Sequence, residues 1–564
     1  MSIFDHKDYL DYEDYKNNFR LEIPENFNFG FDCVDALAAS VADGGRAAMI
    51  WDSDDGGQRV YSFHEMKMYS DGAARYFKSL GIGKGDRVML ILKRRAHFWF
   101  AIIGLIKIGA VAIPATHHLI AEDIVYRNKS ASVNAIVSTD DEKVIRAVEA
   151  AQPESNSVRH LIRIGEKELG FETAFEWELF GQGILGHQEG APLPRVTENS
   201  DTMLLYFTSG TTGYPKMVLH NHAYPLAHIV TAKYWHNLRP ESIHLTLADT
   251  GWGKAVWGKL FGQWLCKATV MVYDHDKLIV HRLLKIMEKH RVTSFCAPPT
   301  AYKVILTADF SCYDLSSLEY ATSAGEPLND AVYDDFLRRT GIRIHEAYGQ
   351  TETVPVILTT PYTEPKAGSL GKANPLYDLA LLDAGGNIVA RLGAGEPDEP
   401  ATGELCIIAE PGDVGVYTGY YRNPDLTKLA WQGGVYHTGD LVSIDAEGYI
   451  YFIGRSDDII KSAGFRIGPF EVESVVQQHE AVLECAVTGV PDPLRGQAIR
   501  CSIILREGFE PSDALRKEIR AFAKAGAAAY KIPRIIEFVD ELPKTISGKV
   551  RRAEMRAGGQ RAAD

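Results

Sequence analysis

Cysteine is scarce and unpaired along this chain. Seven residues (Cys33, Cys266, Cys296, Cys312, Cys406, Cys485 and Cys501) are scattered over 564 positions without one C-x-x-C pair. That argues against a disulfide framework or a zinc site and suits a reducing cytoplasm, the expected location. A basic surplus is missing too: the formal charge is −14, which argues against a general nucleic-acid-binding surface but leaves room for local basic patches. No run is apolar enough to be an integral membrane segment. The longest candidate, Phe98 to Ala115, carries Lys107, Gly104, Gly109 and Pro114 and reads as a buried helix feeding a strand. The amino-terminal stretch is acidic and aromatic and lacks the basic-then-apolar order of a signal peptide. Asn128-Lys-Ser130 fits the glycosylation pattern by chance. His220, His222 and His228 have no carboxylate or cysteine pattern around them, so they are expected at the surface or behind a site, not on a metal.

What is present is the composition of a globular protein, 46% apolar and 24% charged, in a chain too long for one core. Strand and helix signals alternate. Arg87 to Leu92, Ala110 to Pro114, Ala135 to Val137 and Ala268 to Tyr273 read as buried strands, and Lys277 to His290 reads as a helix. This alternation predicts α/β layers with mainly parallel sheets. The glycines and prolines between Gly393 and Gly403 predict an exposed loop before a strand at Glu404 to Ile408. A further strand, Tyr449 to Ile453, ends in the polar turn Gly454-Arg-Ser-Asp-Asp458. A domain boundary is placed there, giving domains 1–456 and 457–564, the second with helices near Glu471–His479 and Ser512–Ala525.

Thr208-Ser209-Gly210-Thr211-Thr212-Gly213-Tyr214-Pro215-Lys216 is the most informative stretch. Its glycines let backbone approach a ligand closely, its N–H and hydroxyl groups can surround phosphate oxygens, and Lys216 adds a point charge. The spacing differs from the common NTPase loop, because two residues separate Gly210 from Gly213 and Lys216 comes three later. Met203 to Phe207 predicts the strand before it. Tyr348-Gly-Gln-Thr-Glu-Thr353 follows a strand-like Ile342 to His345. It offers Glu352 as an oxygen ligand for magnesium and Thr351 as an α-phosphate donor, or else a Thr cap on a helix. Val435-Tyr-His-Thr-Gly-Asp440 ends in a carboxylate suited to ribose hydroxyls, or in a turn aspartate. Gly454 to Arg466 and Leu542 to Arg552 are charged and turn-rich.

Together with Gly325-Glu326-Pro327, the order of these motifs resembles the adenylate-forming superfamily along nearly the whole chain. Lys461 to Glu473 and Gly489 to Gly496 are most similar to medium-chain acyl-CoA synthetases. The resemblance implies a large amino-terminal domain of layered α/β sheets and a small mobile α+β carboxy-terminal domain. It implies an AMP-forming ligase that uses ATP, Mg2+ and coenzyme A to convert a short- to medium-chain carboxylic acid to its thioester. On the matching positions, Thr208–Lys216 would bind the β- and γ-phosphates. Gly325, Glu326, Pro327 and Glu346, Ala347, Tyr348 would line adenine, with Gly349 and Gln350 leading to Thr351 on the α-phosphate and Glu352 on the metal. Asp440, with Arg455 beside it, would hold the ribose. Asp457 would be the hinge, and Lys549 the lysine bridging carboxylate and α-phosphate. Ala463, Gly464 and Phe465 would flank the pantetheine channel, and Arg495 and Lys531 would meet the CoA phosphates.

Tyr214 stands where many relatives carry Lys, Leu or Arg, at a permissive position. Gly349 stands where acetate-specific relatives carry tryptophan, so room for several carbons is expected and acetate is not. Asp249 to Trp257 resembles the part of these enzymes that borders the acyl tunnel, so Trp252 and Trp257 are expected either to shorten that tunnel or to be core tryptophans, and Lys254 between them has no assigned role. The alternatives are an aryl-CoA ligase of the benzoate type, a freestanding enzyme loading a carrier protein, and a luciferase-like oxygenase.

Overall fold

In the computed structural model, residues 2–165, 168–208, 215–393, 399–463, 465–526, 531–545 and 549–560 are described. Packing divides the chain into two units. The first is built from Met1–Thr208, Pro215–Tyr377 and Ala409–Leu429, the second from Asp378–Ile408 and Ala430–Asp564.

Near-continuous apolar runs become strands buried on both faces, which is why the first unit holds two large, mainly parallel sheets. In the eight-stranded sheet, Arg87–Ile91 lies between Val111–Pro114 and Ala135–Ser138, parallel to both. The nine-stranded sheet runs in parallel from Ala47–Ser53 through Thr269–Asp274, Ile243–Thr246, Ser294–Ala297 and Tyr320–Ala324 to Ile344–Tyr348. Antiparallel pieces finish both sheets. The helix expected from the long apolar run is His97–Ile108, buried from Phe98 onward and ended by Gly109 at φ 73°. Lys107 is fully buried within it because Asp35 and Asp71 each place an oxygen 2.6 Å from its ammonium. Among the described residues no helix is long and apolar enough to cross a membrane.

The second unit is mainly antiparallel by contrast, with Ile535–Phe538 adding one parallel pairing, to Gly496–Leu505. One five-stranded sheet has the order Ile388–Leu392, Asp378–Leu382, Ala401–Ile408, Tyr436–Ile444, Ile450–Arg455. The other is built on the long hairpin Val482–Asp492/Gly496–Leu505, covered by Pro469–Val476 and Asp513–Gly526. Ile460, Val476, Val487, Ile503 and Ile519 form its core. The fold class is therefore the expected one, layered α/β sheets with a smaller α+β carboxy-terminal part.

Several boundaries move. The strand at Ile450 continues through Gly454 and Arg455, so the polar turn shrinks to Ser456 onward. Ala401, Thr402 and Gly403 join the strand they were expected to precede. The strand expected at Ile342 to His345 is Ile344–Tyr348, and the following segment turns without starting a helix. The helix expected at Lys277 to His290 is Val280–Lys289. All seven cysteines are free thiols, six of them buried and Cys312 exposed.

Candidate active site

The glycine- and hydroxyl-rich motif is flanked by the two strands of a hairpin. Strand Thr202–Thr208 returns antiparallel as Lys216–Asn221, with Thr208 opposite Lys216. The motif thus follows a strand, as expected, but leads into a strand instead of a helix. Ser209, Gly210, Thr211, Thr212, Gly213 and Tyr214 lie outside the described residues.

Two residues far apart in sequence converge beside this hairpin. The short strand Gly419–Tyr420 pairs with Val218 and Leu219. The Lys216 ammonium lies 5.3 Å from the Tyr420 ring centroid. The Tyr420 hydroxyl donates to Glu352 Oε1 at 2.9 Å. Burial, reinforced by that carboxylate, pushes the Tyr420 phenol far up, so it remains a donor. Glu352 itself is only 8% exposed. A carboxylate held this way is the oxygen donor a hard cation takes, so the residue present fits magnesium. The preceding residue is fixed from the other side, where His220 Nε2 approaches the Thr351 carbonyl oxygen at 2.7 Å.

Two neighbouring parallel strands deliver the next group at their carboxyl ends, where α/β sheets place ligands. Gly325 follows Ala324 with φ 102°, and the space where a Cβ would stand is open. The Lys254 ammonium donates to the Ala324 carbonyl at 2.7 Å, which anchors the Gly325-Glu326-Pro327 turn. Ala347 and Tyr348 close the adjacent strand, and Gln350 Nε2 donates to the Tyr348 hydroxyl at 3.2 Å. Glu346 turns inward instead. Burial pushes its carboxyl well above the ordinary carboxylate range, and it accepts the Leu328 N–H at 3.3 Å.

Gly349 does not leave the open space its small size predicts. A Cβ there would lie 2.7 Å from Trp257 Cη2 and 2.8 Å from the Val354 carbonyl oxygen. Trp257, from helix Gly253–Lys259, occupies the volume beside Gly349 and is nearly buried. Trp252 precedes that helix and is half-buried.

In the second unit, Asp440 and Arg455 are cross-strand partners. Arg455 Nη1 lies 3.3 Å from Asp440 Oδ1, and its Nε lies 3.5 Å from Asp457 Oδ1. Asp440 is buried, whereas Asp457 is exposed in the turn after the strand. Gly439 needs its φ of 72°, and a Cβ there would meet the Arg455 guanidinium at 2.9 Å. Ala463, at φ 51°, donates its N–H to the Arg495 carbonyl at 2.9 Å, and Phe465 is exposed nearby in sequence. Gly464 lies outside the described residues. Lys531 pairs with Glu471 at 2.7 Å and Arg495 with Asp492 at 3.7 Å. Lys549 is exposed, its N–H donating to Thr545 Oγ1 at 3.1 Å.

A model of the family described as AMP-binding enzyme matches residues 38–421, and one described as AMP-binding enzyme C-terminal domain matches residues 471–549. The chain belongs to the AMP-binding enzyme family. Relatives of this AMP-binding enzyme are acyl-CoA synthetases and CoA ligases. It is 34% identical over 559 residues to acyl-coenzyme A synthetase ACSM3, mitochondrial, of Homo sapiens, covering 98% of this chain and 92% of that one. To 4-hydroxybutyrate–CoA ligase 1 of Metallosphaera sedula it is 38% identical over 516 residues, covering 91% and 87%. The crystal structure of the anthranilate CoA ligase AuaEII in complex with anthranoyl-AMP superposes with a TM-score of 0.83 at 28% identity, covering 97% and 99%.

Of the two positions expected for the histidines, at the surface or behind a site, only the surface alternative falls. His220, His222 and His228 are fully buried. His220 is stacked on Tyr224 with ring centroids 3.8 Å apart, and burial lowers its pKa to about 4. This AMP-binding enzyme thus contains two residues whose partners sequence reasoning missed, His220 and Tyr420. Alternation along Lys216–Asn221 offered a weak signal for the first, since Val218 and His220 share a buried face. A two-residue strand gives no periodicity to find the second.

Proposed function

We propose that this AMP-binding enzyme is an ATP-dependent, AMP-forming ligase that joins a short- to medium-chain carboxylic acid to coenzyme A through an acyl-adenylate. The observation that carries the reading is the convergence of Lys216 and the buried Glu352 on Tyr420, with Thr351 held next to them. In the first half-reaction the acid's carboxylate oxygen attacks the α-phosphorus of ATP, the bond to the bridging oxygen breaks, and pyrophosphate leaves. The two reactants are both anionic, so cations at the reacting centre lower the barrier. Lys216 faces the β- and γ-phosphates, Thr351 the α-phosphate, and Lys549 bridges carboxylate and α-phosphate. Glu352 would hold magnesium, which supplies charge neutralisation on the phosphates. Gly325 to Pro327, Ala347 and Tyr348 line adenine, and buried Asp440, oriented by Arg455, accepts from the ribose hydroxyls.

In the second half-reaction the CoA thiol attacks the acyl carbon and AMP leaves. Ala463 to Phe465 flank the thiol's route, and Arg495 and Lys531 meet CoA phosphates, Lys531 by exchanging its Glu471 partner. We assign residues 457–564 as the part that changes pose between the half-reactions, with exposed Asp457 as the pivot.

Trp257 beside Gly349 bounds the acyl pocket. That supports a compact acid of a few carbons over a long chain. An aryl acid is the second reading, favoured by the likeness to an anthranilate CoA ligase and by a flat indole edge at the pocket wall. Pyrophosphate release over a panel of aliphatic and aryl acids, with and without CoA, tests the proposal. Release without any acyl-CoA product when CoA is supplied would reject it in favour of a carrier-loading enzyme.

A further inference from the structure

The five-stranded sheet of the second unit gathers a cluster that the ligase chemistry leaves unused. Glu404 and Cys406 are two apart on strand Ala401–Ile408, so their side chains leave the same face. His437, on the neighbouring strand Tyr436–Ile444, stands directly opposite Cys406 in the register. Cys406 Sγ and His437 Nδ1 are 3.6 Å apart, and His437 Nδ1 and Glu404 Oε2 are 3.1 Å apart. One donor atom from each residue lies within 4.8 Å of the other two.

The orientation of the imidazole is fixed from behind. His437 Nε2 lies 3.2 Å from the Gln432 carbonyl oxygen, so Nε2 carries the proton it donates. Nδ1 points into the gap shared with the thiol and the carboxylate, where its N–H donates to Glu404 Oε2 until a cation displaces that proton. A histidine that gives one ring N–H to a backbone carbonyl and aims its other nitrogen at a sulfur and an oxygen is the arrangement of a metal ligand. The side chains of His437 and Glu404 are 19% and 24% exposed, while Cys406 is buried.

We infer that Glu404, Cys406 and His437 form a binding site for a borderline-soft divalent cation of the zinc class. Sulfur, imidazole and carboxylate together suit zinc and cobalt, and disfavour magnesium, which takes oxygen ligands. Binding makes one bond from each donor atom to the metal and releases the Cys406 thiol proton and the His437 Nδ1 proton to solvent. The site also touches the nucleotide side of the enzyme. Glu404 Oε1 accepts the N–H of Gly439 at 3.0 Å, immediately before Asp440. A metal drawing on Glu404 disturbs that turn, so occupancy raises the KM for ATP; this consequence rests on Asp440 as the ribose-holding residue.

The test is cobalt titration of the full chain in a Cys312→Ser background, which removes the exposed thiol. A thiolate-to-cobalt charge-transfer band that saturates at one equivalent and is displaced by zinc is the expected result. Cys406→Val, close in volume and apolar, abolishes the band and weakens zinc binding about 100-fold or more, while acid-dependent pyrophosphate release without zinc is retained. His437→Gln is the second variant and also loses the band. No band in the parent protein, or a band unchanged in both variants, overturns the site and leaves a Glu404–His437 ion pair. The band is independent of turnover, so it reads the site even if the ribose assignment fails; zinc raising the KM for ATP in the parent but not in Cys406→Val reads the coupling.

Discussion

His220 holds Thr351 by its backbone: the fully buried imidazole places Nε2 2.7 Å from the Thr351 carbonyl oxygen. The histidine contributes no group to the phosphates. It fixes the turn from which Thr351 and Glu352 project. His220→Leu leaves a buried carbonyl without its donor, a loss of about 1–3 kcal/mol, or roughly 10–100-fold in adenylation kcat. His220→Gln restores an N–H donor and recovers most of the rate. ATP–pyrophosphate exchange checks both variants, and equal rates in the two would remove the positioning role.

Acid should weaken the fold before it touches the carboxylates. Burial lowers His220 and His222 from 6.5 to about 4, so the folded chain keeps them neutral where the unfolded chain takes up protons. Stability is then complete above about pH 6.5 and falls as pH drops toward 4, by on the order of 3 kcal/mol per histidine. Thermal midpoints across this window should decline steeply, and less so in His220→Gln. A flat profile would contradict neutral burial.

Lys549 is assigned to the first half-reaction alone. Lys549→Ala should reduce acyl-adenylate formation at least 100–1,000-fold, the scale of losing one charge-stabilising donor. Thioester formation from supplied acyl-adenylate should continue near the parent rate. Rapid-quench measurement of each half-reaction separates them; an equal loss in both removes the assignment.

Pocket length should depend on Trp257, because its ring edge fills the space beside Gly349. Trp257→Leu makes room for additional methylenes, each worth about 0.8 kcal/mol when buried. Two further carbons therefore gain about tenfold in kcat/KM relative to the shorter acid. The butyrate-to-hexanoate ratio is the quantity to measure. Gly349→Trp, in contrast, collides with Trp257 and with backbone at Val354, and activity should fall on every acid. If the ratio stays constant in Trp257→Leu, the tryptophan belongs to the core.

Much of this was legible in the sequence because it depends on local pattern. The strand near Arg87, the helix inside Phe98 to Ala115 and the Asp440 and Arg455 motifs follow from apolar runs, glycines and charges that are neighbours along the chain. What escaped depends on distance. Tyr420 joins the site through a two-residue edge strand, and Trp257 reaches Gly349 from a helix whose packing no spacing reveals. Cys406 looked isolated because strand register, not sequence, sets His437 opposite it. The choice between surface and buried positions for the histidines was hidden for a related reason: the ring of Tyr224 and the Thr351 carbonyl that meet His220 are brought to it by the fold.

The distribution of thiols supplies a clock. Only Cys312 is exposed, on the turn Phe310–Cys312, while the other six are enclosed. A coloured thiol reagent should therefore consume one equivalent at once and the rest only as each enclosing segment opens. The slow phases time those openings in the unlabelled, unmutated protein. Cys485 and Cys501 report from the small sheet and Cys296 from the large one, so peptide mapping of early adducts would rank which sheet breathes first.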